Sequence, residues 1–409
     1  MPFLYAPRPI PVEIRPYKYT VVSEFLDLER LVPEHNPGSV DGTYAIHTDD
    51  NFLKPDLRPF PGQDGHKRAL EALINRNGGP ECCRLVYITR HAESDHNVKA
   101  DVLGKAESAA AADHFEADRD PSLSAKGVEQ AMRLGNQMLD SEAAAFGLPS
   151  IVHCSPLWRC VQTAAYSGGN YHFSLDIKLN DDWREWKGPG QLHVSDARST
   201  KTVLCRRIDT LEGHLGGAEV TPLFPDRFTE KDEAFFEPET FVNVAIRLER
   251  ALDELFQGDS LCRHIVTHGR TLHSLMRVLG FKRYSTGRKE YRVWDFENAG
   301  TIVTLLKREP RVDPMQQLEY DRALQQEEMR YINSIYQEGI NDGFLRIQER
   351  ARQDPEIRNI WMEKLNALRE EMRVNNAVGW RYELLAKALQ GIFQHGDFQV
   401  RTDDRLNGF

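Results

Sequence analysis

Short apolar runs rich in β-branched and aromatic residues recur along the chain. Each is followed by turn residues and then by a stretch with apolar positions three or four apart. The runs RLVYITR (84–90), IVHC (151–154), HIVTH (264–268) and GTIVTLLK (300–307) predict strands. The helical spacing predicts helices over 124–141, with Ser124 as N-cap, and over 157–166, 239–257 and 271–279. Strands alternating with helices predict an α/β domain with a mostly parallel sheet. The segment 190–238 shows no clear period and is expected to be a long excursion over one end of that sheet.

The two ends of the chain have a different texture. Residues 1–80 are rich in proline, glycine and aspartate, with one short helix, HKRALEALINRN, closed by Gly78-Gly79-Pro80. They read as an arm packed on the core. Beyond Pro310 the chain turns to Glu, Gln, Arg and Leu. Apolar residues at helical spacing (Leu324, Met329, Ile332, Tyr336, and later Trp361, Leu365, Leu368, Leu385) predict two or three long helices over 315–395. The expected organisation is an arm over 1–80, a catalytic domain over 81–309 and a C-terminal helical extension over 310–409. The stripes of the extension would face the core or a second copy of the chain, giving a homo-oligomer.

Composition narrows the partners. The 409 residues carry 52 Lys and Arg against 62 Asp and Glu, a net charge of −10, so a general electrostatic hold on nucleic acid or on an anionic membrane is not expected. No apolar run reaches the length of a membrane span, and the proline-bearing start lacks the core of a secretory signal. None of the six cysteines shows C-x-x-C spacing. These features together read as a cytoplasmic protein.

The chemistry concentrates after the first predicted strand, in Arg90-His91-Ala92-Glu93-Ser94-Asp95-His96-Asn97. Open α/β sheets bind ligands at the carboxyl ends of their parallel strands, so adjacent Arg and His delivered into that turn mark a candidate site. A neutral imidazole held at one nitrogen can attack phosphorus with the other. A guanidinium spans two phosphate oxygens in a fork that lysine cannot reproduce.

These residues resemble the R-H-G-E-S-x-x-N signature of the histidine phosphatase superfamily, the phosphoglycerate mutase-like proteins. Four further blocks follow in the family's order. They are DPSLSAKG (120–127), CSPLWRCVQTA (154–164), Trp183-Arg184-Glu185-Trp186, which is similar to the acid-bearing loop, and VTHGR (266–270), which is similar to the V-S-H-G motif. The arm, the H-N-V continuation at His96-Asn97-Val98 and the stretch Ser195-Asp196-Ala197-Arg198-Ser199 are similar to the fungal phosphomutase-like phosphatase branch, with Ser195 where cysteine is usual.

The resemblance implies a three-layer α/β/α fold with a mostly parallel sheet, and catalysis without metal or other cofactor. It implies His91 as the nucleophile that forms a phosphohistidine. Arg90, Arg159 and His268 would bind the phosphoryl oxygens, and Glu185 would be the acid that protonates the leaving oxygen. Ser94, Asn97, Gly269 and Arg198 would contact the substrate, a small phosphorylated metabolite. For Asn97 the competing reading is a cap on the following turn, for Ser94 plain solvation, and for Arg198 a surface ion pair with an acid such as Asp196. His153, His172, His193 and His264 read as structural, with His193 close enough to Glu185 in sequence to reach substrate. No block resembles the N-E-R-H-Y-G stretch of true phosphoglycerate mutases, which favours hydrolysis over mutase transfer. A non-catalytic phosphate-binding scaffold is the third reading.

Overall fold

The computed structural model describes residues 15–22, 25, 44–46, 63–103, 119–140, 147–169, 174–187, 194–213, 215–216, 218–232, 239–280, 294–311, 313 and 315–328. The strands are β1 (Tyr17–Val21), β2 (Tyr44–Ile46), β3 (Cys83–Arg90), β4 (Ile151–Cys154), β5 (Ser174–Leu179), β6 (Glu219–Leu223), β7 (Cys262–Thr267), β8 (Trp294–Phe296) and β9 (Thr301–Pro310). The helices are α1 (Gln63–Arg76), α2 (Asp95–Leu103), α3 (Ala125–Asp140), α4 (Trp158–Gly168), α5 (Lys201–Glu212), α6 (Phe241–Leu255) and α7 (Gly269–Val278). The chain divides into two compact units, Pro9–Gln325 and a second made of Met1–Arg8 with Gln326–Phe409. The sites discussed below lie in the first. The stripe from Met329 onward and the helices expected over 329–395 lie outside the described residues, as do His172 and His193.

Seven strands form one sheet in the order β1-β9-β3-β7-β4-β5-β6. The run β3-β7-β4-β5-β6 is parallel, and β9 closes it antiparallel to β3 with β1 antiparallel beyond it. β3 and β7 are buried along almost their whole length, as strands covered on both faces must be. This is the three-layer α/β/α arrangement. On one face Val152, Cys154, Leu175, Ile177 and Leu179 pack against Val161, Ala164 and Ala165 of α4 and Leu204, Ile208 and Leu211 of α5. Each of the larger of these side chains contributes roughly 2 kcal/mol by leaving water.

The expected excursion over 190–238 is corrected in part. It contains α5, capped by the Thr200 hydroxyl on the Val203 N–H at 3.3 Å, and the edge strand β6. Pro222 hides β6 from a strand reading, because proline is tolerated only at an edge or bulge. In the arm, Tyr17–Val21 is a sheet strand rather than loose packing.

Local features fix the strand ends that matter. Ser124 caps α3 through Gly127 N–H at 3.0 Å. A Cβ on Gly127 would fall 1.8 Å from the Glu93 carbonyl oxygen, so only glycine lets α3 start against the loop leaving β3. Thr163 of α4 accepts the Ala92 N–H at 3.0 Å and holds that loop from the other side.

Candidate active site

Because β7 lies between β3 and β4, three strands deliver their carboxyl ends to one place. β3 brings Arg90 and His91, β7 brings His268, and β4 leads into Ser155 and the first turn of α4, which carries Arg159. The His91 N–H donates to Thr267 O at 2.8 Å and the Ser155 N–H to Val266 O at 3.0 Å, so the ladder continues into the site. Glu185 arrives from β5 through the 3-10 turn Asp181–Trp183.

His91 is 2% exposed. Its Nδ1 lies 2.7 Å from the Ala92 carbonyl, a bond only an N–H can make, so the neutral ring leaves Nε2 as an unprotonated lone pair. Facing that lone pair is Arg159 Nε at 3.3 Å. Burial, with Arg159 and Arg90 adding like charge, holds the imidazole well below its ordinary pKa. His268 stands beside it, ring centroids 5.1 Å apart, and its Nε2 lies 2.7 Å from Ser155 Oγ. His268 is likewise held neutral, chiefly by burial and then by Arg159.

Arg159, 1% exposed, is braced on its far side. Its Nη1 donates to Ser195 O at 2.8 Å and its Nη2 to Asp196 Oδ1 at 2.7 Å. Asp120 ties the same parts together, since its carboxylate accepts the Trp158 N–H at the start of α4 at 2.6 Å and the Ser199 N–H at 2.9 Å. Arg90 donates through Nη1 to Phe296 O, and the α-carbon of Gly269 comes close enough that a Cβ there would sit 3.5 Å from Arg90 Nε.

Glu185 is half-buried. Its Oε1 accepts the Trp186 N–H at 2.9 Å and, at 3.2 Å each, the Thr271 N–H and hydroxyl. Burial raises its pKa and the negative charge of Asp196 raises it further, while Arg270 and Arg159 pull it down.

Ser94 is fully buried rather than solvated, and bonds His96 Nδ1 at 2.7 Å and Asn97 Oδ1 at 2.8 Å. Asn97 Oδ1 also accepts the Ser94 N–H at 3.1 Å, so its side chain caps the turn into α2.

Arg198 is corrected outright. It is 2% exposed, pairs with Asp181 at 3.0 Å, and gives its remaining N–H groups to the carbonyls of Ser199, Thr229, Glu230 and Lys231 while lying over Phe228. No donor is left for a phosphate, and Asp196, read as its partner, pairs with Arg159 instead. His153 and His264 are both buried core residues, His264 bonded to Thr89 at 2.8 Å.

Reasoning from sequence passed over Asp196, Asp120, Thr271 and Arg270. Asp120 stood in a quoted motif, and Asp196 in a stretch read for Arg198. Nothing in the pattern marked Thr271.

Residues 86–193 match the family model described as histidine phosphatase superfamily (branch 1). These residues belong to the histidine phosphatase superfamily. The segment includes His91, Arg90, Arg159 and Glu185, and His268 lies beyond it. The chain is 22% identical over 260 residues, 60% of its own length and 72% of the relative's, to a probable phosphoglycerate mutase of Arthroderma benhamiae. Among solved structures it is similar to the ecdysone phosphate phosphatase of Bombix mori, in complex with tungstate, with TM-score 0.34 and 19% identity over 56% of this chain and 93% of that one. It is also similar to the phosphoglycerate mutase of Bacillus anthracis, with TM-score 0.31 and 17% identity over 59% of this chain and 99% of that one. No helix among the described residues is long and apolar enough to cross a membrane.

Proposed function

We propose that the chain is a phosphomonoester hydrolase that works through a phosphohistidine on a small phosphorylated metabolite, with residues 81–309 as the catalytic portion. The observation that carries this reading is the unprotonated Nε2 of His91, held in line by the Nδ1–Ala92 bond and faced by Arg159. In the first step Nε2 bonds to phosphorus as the ester P–O bond breaks, and the Glu185 carboxyl gives its proton to the leaving oxygen. In the second, water adds to phosphorus, loses a proton to the Glu185 carboxylate, and the N–P bond breaks to release phosphate. Arg90, Arg159 and His268 would meet the charge spread over the phosphoryl oxygens. A carboxyl raised by burial and by Asp196 suits an acid that must still hold a proton near neutrality.

The mutase reading draws on the name of the Arthroderma benhamiae relative. The absence of an N-E-R-H-Y-G stretch supports hydrolysis over it. A phosphate-release screen over metabolite esters, with acid-quench trapping of labelled phosphohistidine, tests the proposal. Free phosphate with label on His91 is expected; phosphoryl return to the same carbon skeleton without phosphate release would establish the mutase, and no label on His91 would overturn both.

A further inference from the structure

Among the described residues, the buried arginines around the site are matched by acceptors. Arg159 pairs with Asp196, Arg184 approaches Asp232 at 3.8 Å and Glu239 at 3.6 Å, Arg247 pairs with Glu239 at 2.7 Å, and Arg90 donates to a carbonyl. Arg270 is different: its guanidinium forms no hydrogen bond or ion pair with the described residues. It is nonetheless placed by the site itself. Gly269 before it packs against Arg90, and Thr271 after it donates twice to Glu185. Its charge is felt by the Glu185 carboxyl ahead of that of Arg159. Whereas His91 and Arg159 are buried, Arg270 is half-exposed.

In the proposed mechanism the leaving side of an ester faces Glu185, and Glu185 is held by Thr271 in the first turn of α7, next to Arg270. A half-exposed guanidinium beside that side of the site, with no ion pair among the described residues, is a fork for an oxyanion. We propose that Arg270 is a specificity-determining residue that receives a second anionic group of the substrate, a carboxylate or further phosphate beyond the phosphoryl that is transferred. This rests on the hydrolase reading above and names its substrate class: phosphomonoesters that carry another negative group.

The test compares kcat/KM, read as phosphate release, for phenyl phosphate, 4-carboxyphenyl phosphate and 1,4-phenylene bisphosphate, with wild type, R270A and R270E. Wild type should prefer at least one of the doubly anionic esters, and R270A should lose about tenfold more on it than on phenyl phosphate. R270E should lose more again. The two anionic esters distinguish a carboxylate preference from a phosphate preference. Binding of benzylphosphonate and 4-(phosphonomethyl)benzoate, which cannot be hydrolysed, reads a carboxylate preference as a ratio of Kd even where no ester is turned over. A chain that shows the Arg270-dependent ratio in binding without releasing phosphate would sink the hydrolase reading and keep this one. A ratio that changes less than about threefold in R270A, on the esters and the phosphonates alike, overturns the role given to Arg270.

Discussion

Arg159 Nε lies 3.3 Å from His91 Nε2, and the same guanidinium is gripped from behind by Ser195 O and Asp196. The far-side bonds leave the arginine little freedom, so its Nε–H stays aimed at the nitrogen that would bond to phosphorus. H91A should abolish turnover of an aryl phosphate while the far-UV circular dichroism stays native. R159K keeps the charge but loses the fork, and should lower kcat/KM about a hundredfold. Steady-state phosphate release checks both, and wild-type rates in H91A would refute the nucleophile.

Asp196 reaches the acid as well as the arginine, since its charge raises the Glu185 pKa. In the proposed mechanism phosphoryl transfer needs the protonated carboxyl, so kcat/KM should fall as pH rises through the Glu185 pKa. Removing the Asp196 charge in D196N lowers that pKa and moves this alkaline limb to lower pH, on top of any loss from a loosened Arg159. E185Q should remove the limb and slow turnover by about 10²- to 10⁴-fold. A pH profile unchanged in D196N would separate Asp196 from the acid.

Arg198 is held by a carboxylate and four backbone carbonyls over Phe228, which makes it a clamp on the segment 229–232. R198M should cost about 3 kcal/mol of stability, because Asp181 and those carbonyls are left unmatched. The loss should appear as a lower Tm. An unchanged Tm with a raised KM would restore the substrate role.

The legible parts were those where one local rule decides. β3 and β7 announce themselves by the short β-branched and aromatic runs Leu85–Ile88 and Ile265–Thr267, Ser124 and Gly127 bracket the start of α3, and the motif residues His91, Arg159, Glu185 and His268 converge because each follows a strand end. The helix α5 was readable in retrospect from Leu204, Ile208 and Leu211 behind the Thr200 cap, but Arg206, Arg207 and Asp209 between them blur the stripe. Arg198 was misplaced for a different reason. A cation beside a motif looks the same in sequence whether it meets a ligand or a ring of carbonyls, and only the fold of 229–232 around it decides. The pairing of Arg159 with Asp196 is likewise a contact across 37 positions that no local period encodes.

Four imidazoles, those of His91, His153, His264 and His268, are buried and all are held below the ordinary histidine pKa, that of His264 at about 3. Desolvation is the leading cause in each. His153 is the extreme case, since neither of its ring nitrogens has a hydrogen-bond partner among the described residues. In the unfolded chain these rings take up protons below about pH 6.5, while in the fold they stay neutral, so acid favours the unfolded state. Stability is therefore full above about pH 6.5 and declines below it, each ring adding up to about 1.4 kcal/mol per pH unit until its folded pKa is reached. Urea midpoints at pH 7.5, 6.0 and 5.0 should fall in that order. H153L replaces the unpartnered ring with an apolar side chain and should flatten the slope by about one ring's share; a slope that H153L leaves unchanged would mean that His153 is protonated inside the fold.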